Sequence, residues 1–168
     1  VAIPSEDHPP AADPSEERVQ HALELAYRYL GRRDRTVAEV RARLTSEDVQ
    51  PDVIDATIEE LERQGYLDDA RYAQRVAEDR RTIDAWGPER IERRLLAVGV
   101  DAALIEVALG ERGAAEELEA AVAVLRRRFP AAPADDRARD RALGLLVRKG
   151  YDLELAYDAV RAYERDAA

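Results

Sequence analysis

Apolar residues recur along this chain at helical spacing, in short stripes set off by glycine, proline and acidic residues. Val19, Ala22, Leu23, Ala26 and Leu30 fall on one helical face. Asp13 is suited to the N-cap of that helix, Pro14 to its first position and Glu16 to a capping box. Thr36 and Glu39 form a second capping box ahead of Val37, Val40 and Leu44. Pro51 opens a third helix striped by Val53, Ile54, Ile58 and Leu61, and Gly65 is placed to stop it in a left-handed conformation. The order then recurs. Asp68 or Asp69 caps a helix carrying Tyr72, Ala73, Val76 and Ala77; Gly87 and Pro88 start one carrying Ile91 and Leu95; Asp101 caps one carrying Leu104, Ile105 and Leu109. A third round has Leu118, Ala121, Val122, Leu125 and Phe129, a break at Pro130 and Pro133, then Ala142, Leu146 and Val147 up to Gly150. Asp152 caps the last helix, with Leu155, Ala156, Val160 and Tyr163 facing inward.

These rounds share one register. Val40, Ile91 and Ala142 lie 51 residues apart, as do Leu44, Leu95 and Leu146; Val49, Val100 and Tyr151; Val53, Leu104 and Leu155; Ile54, Ile105 and Ala156; and Ile58, Leu109 and Val160. Any two amphipathic helices agree every 3.6 residues, but agreement through two helices and the turn between them indicates a repeat. A turn glycine recurs at Gly99 and Gly150, whereas Asp48 holds that place in the first round, so its turn must differ or be strained. The pattern predicts an all-α protein of three tandem three-helix repeats, over residues 15–66, 67–112 and 113–168, behind a Pro-rich disordered tail over residues 1–14. Units so small have little core of their own and stack on neighbours, which predicts an elongated, curved array suited to extended partners.

Composition narrows the chemistry. Cysteine is absent, which removes disulfides, thiol proteases and zinc fingers. The remaining inventory is poor in nucleophiles and ligands, with three serines, four threonines and two histidines in 168 residues. His21 has no second histidine or spaced carboxylate to form a metal set. Acidic runs such as Glu59, Glu60 and Glu62 sit on polar faces beside arginine, as solvated ion pairs rather than acid catalysts. No phosphate loop of either common glycine-rich type occurs. The chain is expected to need no cofactor or metal and to be no enzyme. No apolar run approaches the roughly 20 residues of a membrane span, and the N-terminus lacks the basic and apolar regions of a secretory signal, so a cytoplasmic protein is expected.

The net charge is −10, from 26 basic and 36 acidic residues, the wrong sign for coating DNA by counterion release. Lys149 is the only lysine, so the cationic sites favour planar, bidentate contacts. Arginines cluster at Arg32, Arg33 and Arg35, at Arg41 and Arg43, at Arg80 and Arg81, at Arg90, Arg93 and Arg94, and at Arg126, Arg127 and Arg128, with Arg137, Arg139, Arg141 and Arg148 later. Residues 118–168 carry ten basic and nine acidic side chains, a net of +1, while the segments before them are negative. Together the clusters suggest a basic stripe. Trp86, the sole tryptophan, precedes the Gly87 and Pro88 helix start and reads as a staple closing that turn rather than a platform for bases.

Gly65-Tyr66-Leu67-Asp68-Asp69, Arg71-Tyr72-Ala73, Arg80-Arg81 and Trp86-Gly87-Pro88-Glu89-Arg90-Ile91, with Leu95 and Gly99-Val100, resemble the RecX family of regulatory proteins. The likeness runs over residues 20 to 165 and is most specific in the middle round. It implies a cytoplasmic bacterial protein that binds the RecA filament and modulates, chiefly inhibits, its recombinase and ATPase activities in DNA repair and recombination, with no catalysis of its own. RecA is the expected partner, with weak contact to single-stranded DNA phosphates, and the protein is expected to be a monomer. Arg80, Arg81, Arg90, Arg93 and Arg94 are the expected partner contacts. The alternative from a different class is a helix-turn-helix-like nucleic-acid-binding module.

Overall fold

The computed structural model describes residues 14–166. Residues 1–13 of the tail expected over residues 1–14, and Asp13 as a cap, lie outside that range; Pro14, the last residue of that expected tail, is instead the first residue of a helix. The described residues form nine α-helices and no strand. In order they are α1 (Pro14–Leu30), α2 (Val37–Ser46), α3 (Pro51–Arg63), α4 (Asp69–Thr82), α5 (Pro88–Leu96), α6 (Ala102–Gly110), α7 (Ala114–Arg128), α8 (Asp136–Lys149) and α9 (Leu153–Asp166). Two compact units contain them, one ending at Leu67 and the other starting at Asp68. The first round is therefore a unit by itself, and the second and third rounds share one.

In the first unit, Thr36 accepts from the Glu39 backbone N–H while the Glu39 side chain accepts from the Thr36 N–H, so two orphan donors of α2 are satisfied together. The core joins Ala22, Leu23 and Ala26 of α1 to Val40 and Leu44 of α2 and to Val53, Ile54, Ile58 and Leu61 of α3. Tyr27 packs edge-on against Tyr66 at 5.2 Å, and its hydroxyl donates to Gln64.

In the second unit, Ala73, Ala77, Ile91, Leu95 and Ile105 form the core of the second round. Ala121, Leu125, Leu146, Tyr151 and Val160 belong to that of the third. The break between α7 and α8 is tied down by the Tyr163 hydroxyl, which donates to the Phe129 carbonyl at 2.8 Å.

The 51-residue register is physical. Val40, Ile91 and Ala142 are all fully buried, and so are Leu44, Leu95 and Leu146. The turn after each middle helix repeats atom for atom. Val49, Val100 and Tyr151 donate their N–H groups to the carbonyls of Leu44, Leu95 and Leu146, and Asp48, Gly99 and Gly150 donate to those of Thr45, Leu96 and Val147. This double bond pattern is the Schellman termination, which places its penultimate residue in the left-handed region. Gly99 and Gly150 take φ of 79° and 92°, and Asp48 takes 58°. The first-round turn is thus the same turn, held at a conformational cost that glycine does not bear. Asp48→Gly should stabilise the first unit by about 1 kcal/mol, read as a rise in its thermal midpoint.

Candidate functional site

The second unit is joined across its two rounds by backbone contacts at the Trp86-Gly87-Pro88 motif. Pro88 at the first position of α5 has no N–H to offer, and the donors on either side of it are met from the third round. The Gly87 N–H donates to the Lys149 carbonyl at 2.9 Å and the Glu89 N–H to the Gly150 carbonyl at 3.0 Å. Those two carbonyls lie at the C-terminal end of α8, where acceptors lack intrahelical partners. The loop before the motif is tied by the Lys149 ammonium, which donates to the Asp84 carbonyl at 2.7 Å. Ala85 sits at φ 52°, a strained value for a residue with a Cβ. That left-handed step lets neighbouring residues serve different cores: Ala85 packs on the third round and Trp86 on the second.

Trp86 closes the turn, as its position suggests, and its backbone N–H donates to the Arg80 carbonyl at 3.0 Å. Its ring also carries two guanidinium groups, Arg90 at 4.1 Å and Arg80 at 5.2 Å from the centroid. Arg80 is paired with Asp84 at 2.6 Å. Arg90 donates to the Arg148 carbonyl at 3.1 Å and so helps cap α8. One turn further along α5, Arg93 and Arg94 are exposed, with no ion pair among the described residues. On the adjoining third round, Arg128, Arg137, Arg141 and Arg148 line a groove of about 410 Å³ with Phe129 and Asp140. None of those four arginines is ion-paired among the described residues. Six unpaired guanidiniums on one unit of an acidic chain repel one another and attract anions.

Arg81 is a correction. Sequence grouped it with Arg80 as a partner contact, but it is 7% exposed and points inward. Its guanidinium donates to the carbonyls of Ala108 and Leu109 at 3.4 and 2.8 Å, and pairs with buried Glu117 at 3.4 Å. Adjacent helical residues diverge by about 100°, so only one of the two can share the face of Ala73 and Ala77, and that one is Arg81. Burial lifts the Glu117 carboxyl above the usual carboxylate range, against the pull of Arg81 and Arg112. Of the five expected contacts, Arg80 and Arg90 frame Trp86, Arg93 and Arg94 face solvent, and Arg81 is internal. Sequence reasoning missed the α8 end as the other half of this site.

Among the described residues no cluster of three metal-ligating side chains occurs, and no helix is long and apolar enough to cross a membrane.

Comparison with known proteins gives a single picture. Family models for the first and second three-helix domains of RecX match residues 22–61 and 68–109. The regulatory protein RecX of Mycolicibacterium vanbaalenii is 32% identical over 95% of this chain and 91% of its own length. That of Deinococcus radiodurans is 31% identical over 94% and 75%. Among solved structures, RecX from Lactobacillus salivarius superposes with a TM-score of 0.79 at 22% identity, covering 89% of this chain and 99% of that one.

Proposed function

Since the chain belongs to the RecX family, we propose that it binds the RecA filament and restrains its ATPase and strand-exchange activities, acting by contact and not by catalysis. One observation carries the proposed contact surface: a set of unpaired arginines displayed beside the Arg80, Trp86 and Arg90 stack, on a chain whose net charge is −10. An acidic chain has carboxylates to spare for pairing, so guanidiniums left without them are available to an outside anion. Arg93 and Arg94 of α5 are the leading contacts, with Arg80 and Arg90 on the Trp86 ring next to them in sequence and the α8 arginines as further contacts. The target is acidic surface on RecA protomers, and repetition of that surface along a filament multiplies weak contacts into useful affinity.

Arg93→Glu with Arg94→Glu tests this, because both side chains are exposed and the fold does not use them. The concentration needed to inhibit RecA ATPase should rise at least about tenfold, the equivalent of about 1.4 kcal/mol, while the thermal midpoint stays put. Unchanged inhibition removes these residues from the interface. Tight binding to labelled DNA in the absence of RecA favours a nucleic-acid-binding module instead.

A further inference from the structure

The first unit holds a second concentration of arginine, independent of the filament reading. Arg28 and Tyr29 at the end of α1, Arg32 and Arg35 in the turn that follows, Arg43 of α2 and Glu47 at its C-cap line a cavity of about 460 Å³. That volume lies within the roughly 300 to 1,000 Å³ of small-molecule sites. Four guanidiniums face one carboxylate there. Glu47 is spent on Arg43, and Glu39, outside the cavity, is divided between Arg33 and Arg35. Arg28 reaches only the Glu24 carbonyl, at 3.4 Å, and Arg32 is exposed with no ion pair among the described residues.

Arg35 makes this more than a solvated cluster. Its side chain is only 12% exposed, its guanidinium lies 4.1 Å over the Tyr29 ring, and its Nε is buried with no acceptor. A buried donor without an acceptor costs about 1 to 3 kcal/mol and calls for an explanation. Tyr29 holds the group in place, so the arginine is oriented before any ligand arrives.

We propose that this cleft binds a small phosphorylated molecule through a diphosphate group. Arginine forks match phosphate oxygens two at a time, and a diphosphate supplies enough charge and acceptors to engage several forks at once. A single carboxylate does not. The source proposed is a soluble phosphate compound, since the cavity volume of about 460 Å³ is that of a small-molecule site, and an oligonucleotide arm of the test separates it from a nucleic-acid strand.

Calorimetric titration of the full chain with inorganic pyrophosphate, inorganic phosphate and a short single-stranded oligonucleotide tests this. Pyrophosphate should bind at one site with a Kd of about 1 mM or tighter, and more tightly than phosphate. Arg28→Gln with Arg32→Gln, both exposed positions, should weaken it at least about tenfold with an unchanged circular dichroism spectrum. Arg35→Lys, which keeps the charge and loses the fork, should weaken it as well. Arg93→Glu with Arg94→Glu should leave it unchanged, which separates this site from the proposed filament surface. Absence of pyrophosphate binding, or binding that survives loss of Arg28 and Arg32, overturns the proposal. So does a result in which the oligonucleotide alone binds in an Arg32-dependent way.

Discussion

Gly87→Ala should destabilise the second unit by about 3 kcal/mol or more and lower its thermal midpoint by about 12 °C or more. Conformation is not the cause, since Gly87 has an extended φ of −82° that any residue adopts. The cause is contact. A Cβ there would stand 2.5 Å from the carbonyl carbon and oxygen of Gly150 and from the Tyr151 nitrogen, all of them backbone atoms with no rotamer to move. Relief requires parting the second round from the third, which breaks the bonds from Gly87 to Lys149 and from Glu89 to Gly150 and strands their donors. Gly150→Ala should be at least as severe, because its Cβ would press on the Arg90 backbone nitrogen at 2.6 Å while φ stays at 92°. Gly65→Ala is the control. It shares the left-handed φ, at 76°, but its Cβ meets nothing within 4 Å, so only about 1 to 2 kcal/mol of backbone cost is expected. Calorimetry on the three variants decides the matter. A Gly87→Ala midpoint close to that of the wild type would mean that the rounds are not held together at this motif.

Arg81→Ala should cost about 3 to 5 kcal/mol, since it leaves the Glu117 carboxylate buried without its cation. Both Glu117 oxygens already lack a hydrogen-bond donor, so nothing else stands ready to satisfy them. The loss carries a pH signature. A carboxyl raised in the folded state binds its proton more tightly there than in the unfolded chain. Its contribution to stability is therefore largest at low pH and falls as pH rises from the unfolded pKa through the folded one. Without Arg81 the folded value moves further up and that window widens towards neutrality. The deficit of Arg81→Ala should accordingly be larger at neutral than at mildly acidic pH in denaturant titrations. Replacing Arg81 with Met and Glu117 with Leu together should recover most of the stability. A deficit independent of pH would assign the loss to packing alone.

Much of the fold was legible because its stop and start signals are local. The capping box at Thr36 and Glu39 forms as its spacing demands, and Asp68, Asp101 and Asp152 each accept from a backbone N–H of the helix they begin. The 51-residue register predicted buried triplets, and it marked Asp48 as anomalous for the right physical reason, a left-handed backbone without glycine. The site was less legible. Arg80 and Arg81 read as one cluster because they are neighbours in sequence, yet a helix turns them apart. The signal for Arg81 lay in periodicity: it continues the stripe of Ala73 and Ala77, just as Glu117 continues that of Ala121 and Leu125. Two opposite charges on the buried faces of helices in one unit had to find each other. Gly150 was legible as a helix stop, but its second task of admitting the Arg90 backbone depends on a contact across 60 residues of chain that no local rule encodes.

The proposed function rests on unpaired arginines of the second unit gripping acidic surface on the RecA filament. Its most direct test is the affinity of the full chain for RecA filaments assembled on single-stranded DNA, measured across a series of salt concentrations beside Arg93→Glu with Arg94→Glu. Wild-type binding that weakens steeply as salt rises, with the doubly reversed chain at least about tenfold weaker at low salt, is the predicted result. Binding that is indifferent to salt and to the reversal would contradict it.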